Sequence, residues 1–435
     1  MNFKLFTKWS VLLFLSIFSF SCTTYRDYSP IYKELYVNDY DVAYEQLEVH
    51  KETIYSDTDE VLYSLDSGLL AHYGQNYEES NTKLSQAENL MEQYYAKSIS
   101  QGVASFFAND SVQDYAGEEY EDIYSNIFMA LNYIQLGMIE DAFVEIRRFD
   151  NKQKSLSVKY SEEIAYAKDQ VKDLNYSVQF NNSAFARYLS LLLYRSRNQM
   201  DSAEVDRKKI EEAFQTQPAL YPFEIPLAVE EEFVIPKDMA RLNIISFSGL
   251  APIKIEETIE TFNYDSAVFY KLSVPEMLKR GTKVASVSVE VYGEHNDTYL
   301  EALEKIESIE NIAFDTFQEK KAIIYAKAFL RSISKTAIST TFDVLAATSE
   351  DDNGVFGLLG LASKIWIGVT EFADLRTSQF FPAEVYVGGV TIPEGIYVVQ
   401  VQYYDQKGNV IYRKIISDVE VRKNNVNLVE TLCVK

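Results

Sequence analysis

The residues best placed to do chemistry lie close together in Glu371, Asp374 and Arg376. Two carboxyl groups three residues apart could serve as an acid and a base, provided burial separated their pKa values. Arg376 beside them favours a structural ion pair, because such networks are common without catalysis. Other site chemistry is sparse. His50, His72 and His295 are scattered without metal-ligand spacing, and the sequence carries no phosphate-cradling loop, nucleophile elbow or dinucleotide-binding glycine fingerprint. The chain therefore reads as a non-enzyme with no cofactor and no metal. A hydrolase using Glu371 and Asp374 is the alternative.

Chemistry of another kind is expected at Cys22. Lys4 and Lys8 precede an apolar run over residues 9–20, and Ser19, Phe20 and Ser21 lead into Cys22. That is the layout of a signal peptide over residues 1–21. The run is shorter than the roughly 20 residues of a membrane-spanning helix. The Ser21-Cys22 junction resembles a bacterial lipobox, with Ser19 where Leu is usual. The resemblance implies cleavage before Cys22 and acylation of its thiol by palmitate-like chains, with residues 22–30 as a lipidated tether. Two or more chains would hold the protein on a membrane surface. By the same resemblance, the lack of an Asp after Cys22 favours the outer membrane, facing the periplasm, with the cell surface as the alternative. Cys433 is then the only remaining thiol, and its expected role is packing in a strand.

The formal charge of −24 disfavours nucleic acid as a partner. Residues 31–150 hold 24 Asp/Glu against 6 Lys/Arg, a net of −18. An acidic, solvated face accounts for this, and a basic partner could use it. Within that face Arg147 and Arg148 form a basic pair, whose expected fate is pairing inside the chain.

These groups need elements to hold them. The clearest is a helical hairpin over residues 122–148. Ala130 and Tyr133 mark its first helix, Gly137 the turn, and Ala142 and Ile146 the inner face of its second helix. Small residues at Ala130 and Ala142 permit close approach, and Gly137 permits a left-handed turn. Similar second helices start at Tyr40, Tyr77 and Met200. With Ile139 the intervals are 37, 62 and 61 residues, against about 34 in a regular tetratricopeptide (TPR) array. Residues 31–215 thus read as an irregular TPR-like array whose hairpins need stacking to bury their stripes.

Prolines 218, 222 and 226 and the acids 230–232 mark a linker over residues 216–238. Residues 239–435 read as a mixed β domain. Strands are expected over 240–248 and 253–261 as a hairpin, then over 267–274, 283–292, 383–390, 395–404, 409–416 and 419–432. A helical insertion of about 297–376 separates the two groups, including the apolar run 354–369 as a buried helix. The expected fold class is multidomain α + β, a TPR-like helical array followed by a β-sandwich-like domain with that insertion.

Three motifs in order carry a family resemblance: ALNYIQLG with EDAFVEIRR in the hairpin, Gly249-Leu-Ala-Pro252-Ile-Lys254, and Thr370-Glu371-Phe-Ala373-Asp374-Leu-Arg376. With the lipoprotein signal, this order resembles a poorly characterised family of bacterial envelope lipoproteins with a TPR-like region and a C-terminal β-rich domain. Thr377-Ser378 stands where that family commonly has a Trp. The resemblance implies a membrane-anchored scaffold for envelope proteins, in envelope assembly or regulation of cell-wall enzymes. A structural surface lipoprotein is a further alternative.

Overall fold

Four turns of one geometry organise the N-terminal half. They join α1 (Ser29–Tyr36) to α2 (Tyr40–Ile54), α3 (Glu60–Tyr73) to α4 (Tyr77–Gln101), α5 (Glu119–Gln135) to α6 (Ile139–Lys159), and α7 (Ala184–Ser196) to α8 (Met200–Thr216). Each turn places one residue at positive φ: Asn38 at 64°, Gln75 at 63°, Gly137 at 73° and Asn198 at 56°. In the third turn, Gly137 N donates to Ile134 O at 3.0 Å and Met138 N to Tyr133 O at 2.7 Å. The other three repeat this pair of bonds, a Schellman closure that satisfies the last carbonyls of each first helix. The four residues aligned in the sequence, Tyr40, Tyr77, Ile139 and Met200, each begin a helix. Three positions on, Ala43, Ser80, Ala142 and Ala203 are fully buried small residues, which lets paired helices approach closely.

The computed structural model describes residues 26–101, 113–159, 179–263, 268–294, 297–318, 321, 324, 325 and 373–435. Cys22, Glu371 and the apolar run 354–369 lie outside the described residues.

The helices form two layers. In α3 every residue but Glu60 is buried, and α5 and α7 are nearly as enclosed, whereas α2, α4, α6 and α8 bury one stripe each. The enclosed helices lie between the outer helices and a sheet. After the short α9 (Ala228–Glu231) come β1 (Ala240–Ser248), β2 (Ile253–Asn263), β3 (Val268–Leu278), β4 (Ser286–Tyr292), β5 (Thr298–Ser308), β6 (Glu384–Ile392), β7 (Gly395–Tyr404), β8 (Val410–Val421) and β9 (Asn427–Cys433). Seven strands form one sheet in the order β8-β7-β4-β5-β6-β1-β9, and β2 and β3 form a separate ribbon. Among the described residues, only the β1–β9 pairing in the large sheet is parallel. The fold is thus a helical region followed by a mixed, nearly barrel-like sheet.

This corrects the sandwich-like expectation. The sheet curls around a core of its own, with Leu242, Ile244, Val289, Val399 and Val401 inside. The other face of β1 and β6 carries Ile245, Phe247, Val385 and Val387 into the helical core. Helices do the covering that a second sheet would do. Phe247 stacks on Phe128 of α5 with centroids 5.6 Å apart, so one apolar core runs through both halves.

Three strand expectations are also corrected. β1 and β2 are not a hairpin: β1 pairs with β6 and β9, and β2 pairs with β3. Residues 298–308, assigned to the helical insertion, are β5. Leu300, Leu303 and Ile306 at spacings of three imitate a helical stripe. In fact Leu303 enters the sheet core and Ile306 the helical core, on opposite faces, and a register shift between Lys305 and Glu307 follows. Finally, residues 410–421 are one strand, with Asp418 absorbing an irregularity at φ 57°. The β7–β8 turn does fall at Asp405–Gly408, where Asp405 N donates to Asn409 O at 2.9 Å.

Candidate functional site

The seam between helices and sheet gathers most of the polar chemistry. One part of it is a strap, residues 373–383, that runs across the inner helices before entering β6. Arg376 Nε and Nη2 donate to the two oxygens of Asp374, both at 2.8 Å. Its Nη1 donates to Gln113 O at 2.8 Å and lies 3.4 Å from Asp59 Oδ1. Arg26 pairs with the other Asp59 oxygen at 2.7 Å. Burial alone would raise Asp374, but the hydrogen bonds and charge of Arg376 outweigh it and hold the carboxyl below its ordinary range. Asp374 and Arg376 are therefore brought together as a buried pair, and Glu371 lies outside the described residues.

Thr377 and Ser378 are both buried. Glu121 Oε1 on α5 accepts from Ser378 N at 2.6 Å and Thr377 Oγ1 at 3.0 Å. Asp66 Oδ1 on α3 accepts from Ser378 Oγ at 2.7 Å and Gln379 N at 2.9 Å, and its Oδ2 from Tyr55 OH at 2.8 Å. Tyr73 OH then donates to Phe380 O at 2.8 Å. Burial pushes Asp66 up to about 7 and also raises Glu121, which the nearby Glu118 charge raises further.

A third buried acid, Glu307 at the end of β5, closes the far side. It accepts from Ser183 Oγ and Tyr221 OH at 2.8 Å, from Phe185 N at 3.1 Å and from Tyr124 OH. Two of these donors stand at the N-terminus of α7, where a negative charge is favoured. Burial still raises the Glu307 carboxyl. Sequence reading missed these acids. The available signal was a lone acid inside an apolar run, as Asp66 is between Leu65 and Leu69.

The hairpin residues singled out from sequence have packing positions. Ala130, Ala142 and Ile146 are buried, Tyr133 is half-buried, and a Cβ on Gly137 would meet no atom within 4 Å. Arg148 pairs within the chain, with Glu88 at 3.1 Å and Glu145 at 3.5 Å. Cys433 is a buried, free thiol in the sheet core, and burial raises it.

The seam also holds a cavity of about 50 Å³ lined by α2, α3, α4, β1, β8 and β9. Rings of Tyr40, Tyr73, Tyr77, Phe247 and Tyr412 form much of its wall, with His72, Glu430 and Lys414 among them. Asn132 Nδ2 donates to Ser80 Oγ and Asn81 Oδ1 at 2.8 and 2.9 Å, which turns its Oδ1 to His72 Nδ1 at 2.6 Å. That nitrogen carries the hydrogen. His72 Nε2 lies 3.3 Å from Glu430 Oε2. Gln135 Nε2 donates to the other Glu430 oxygen at 2.5 Å.

Among the described residues no cluster of three or more His, Cys, Asp or Glu could hold a metal ion, and no helix is long and apolar enough to cross a membrane. Comparison with protein-family models, with curated proteins and with solved structures finds no match.

Proposed function

We propose that this chain is a lipid-anchored scaffold of the bacterial envelope, tethered through Cys22 and presenting a TPR-like array to another envelope protein. The observation that carries the reading is the two-layer arrangement of the four hairpins. The inner helices are occupied by this chain's own strands and strap, so the partner surface is the outer layer, α2, α4, α6 and α8. Its first two helices expose Glu45, Glu52 and Glu92 in the most acidic part of the chain, which suits a basic partner. The anchor rests on the signal-like N-terminus and the lipobox-like junction. The outer membrane, facing the periplasm, is the proposed location.

Crosslinking in intact cells tests the scaffold without disturbing the shared core. The native chain should recover a specific envelope protein, and Glu45→Lys, Glu52→Lys, Glu92→Lys in one variant should lose it while melting normally. Recovery of no partner, or an unchanged partner with the triple variant, overturns this surface. The mass of the mature N-terminal peptide tests the anchor: an unmodified Cys22 refutes it. Protease treatment of whole cells that removes the chain would place it on the cell surface instead.

A further inference from the structure

The cavity between the hairpin turns and the edge strands belongs to neither the outer helical surface nor the strap. We infer that it is a binding site for a primary alkylammonium group. Aromatic faces attract a cation through the ring quadrupole, and an aromatic box closed by a carboxylate is the arrangement that recognises amines. Here four tyrosines and Phe247 supply the rings. Glu430 supplies the carboxylate. Its side chain is nine-tenths buried, and its Oε2 receives no hydrogen bond, with His72 Nε2 3.3 Å away.

Size and field agree with that ligand. A cavity of about 50 Å³ has room for about three or four waters, which suits an ammonium and its first carbons but not a drug-sized ring system. The negative charge of Glu430 reaches the hydroxyls of both Tyr73 and Tyr77, helping to raise them after burial itself. The helical wall comes from the segment that carries a net −18, from 24 acids and 6 bases over residues 31–150. Lys414 is the opposing cation on the lining. It forms no hydrogen bond or ion pair among the described residues, so nothing fixes its ammonium against an arriving amine. This site depends on neither the lipid anchor nor a docked protein.

Lys414 also makes the inference decisive to test. Calorimetric titration of the full chain with n-butylammonium chloride should saturate, whereas n-pentanol and sodium acetate should not. Glu430→Gln should weaken amine binding about tenfold or more, and Lys414→Gln should strengthen it several-fold. Tyr77→Leu, at a half-exposed ring, should weaken binding in a folded protein even if Glu430→Gln does not fold. Nα-acetyl-lysine amide run beside butylammonium distinguishes the source. Tighter lysine binding assigns the amine to a peptide side chain, and equal binding to a free small amine. Absence of saturation by both amines overturns the inference, as does weaker amine binding in Lys414→Gln. Saturation by acetate that Lys414→Gln abolishes would make this an anion site and overturn it equally.

Discussion

Asp66 and Ser378 are 312 positions apart in the chain, yet Ser378 Oγ donates to Asp66 Oδ1 at 2.7 Å across the seam. With Gln379 N and Tyr55 OH on the same carboxyl group, Asp66 is where the strap, α3 and the α2–α3 connection meet.

That carboxyl makes stability depend on pH. Its folded value of about 7 lies above the ordinary 3.8 because burial disfavours the charge. The contribution is present in full below about pH 4 and is lost as pH rises through about 7. Asp66→Asn keeps an acceptor for Ser378 and Gln379 without the charge. The variant should lose less stability than the native protein between pH 5 and pH 9, by up to a few kcal/mol. Melting temperatures across that range check this, and parallel curves would contradict it. Asp66→Leu should be destabilised at every pH, since it strands three donors.

Glu307 gathers hydroxyls from Tyr124, Ser183 and Tyr221 and the amide of Phe185 in a site without solvent. Glu307→Leu leaves these groups unpaired, and urea unfolding should show a loss of about 3 kcal/mol or more. Glu307→Gln retains an acceptor and should lose less. Equal losses would show that cavity shape, rather than hydrogen bonding, governs the site.

The four turns predict opposite effects for opposite substitutions. Gln75 holds φ 63° with a side chain that disfavours it, so Gln75→Gly should gain up to about 1 kcal/mol. Gly137→Ala meets no steric contact but must hold φ 73°, and should lose about 1–2 kcal/mol. Chemical denaturation of both variants checks the pair. A loss at Gln75→Gly would mean that this side chain contributes more than its backbone strain costs.

Arg376→Ala removes both side-chain hydrogen bonds to Asp374 and leaves that largely buried carboxylate without its cation. The expected loss is about 3–5 kcal/mol, read from the urea midpoint. In Asp59→Asn the Arg376 side chain keeps both its bonds to Asp374, so that loss should be milder. Glu371→Ala with Asp374→Ala separates structure from function here. A well-folded double variant that abolishes a cellular phenotype would favour a functional site over an ion pair.

Much of the helical half was legible locally. Tyr40, Tyr77, Ile139 and Met200 could be aligned because each begins a helix three residues before a buried small side chain, a relation contained in one turn. Single strands such as 240–248 and 395–404 were legible for the same reason, since alternation or burial leaves its mark within nine or ten residues. β5 was not. Strand alternation sends Leu303 and Ile306, three residues apart, to opposite cores, and three-residue spacing looks the same on a helix.

The amino-acid order by itself determined where the hairpins turn, where the acid charge lies and which residues are small enough for helices to meet. Those properties follow from backbone preference and side-chain size within a few residues. Tertiary structure alone decided that β1 sits between β6 and β9, that Asp66, Glu121 and Glu307 are buried acceptors, and that Tyr40, His72, Lys414 and Glu430 share one cavity. Each of those depends on partners far away in the chain, from 86 positions for Tyr221 and Glu307 to 312 for Asp66 and Ser378. The desolvation that sets a buried carboxyl's charge does not exist until both sides of the seam have met.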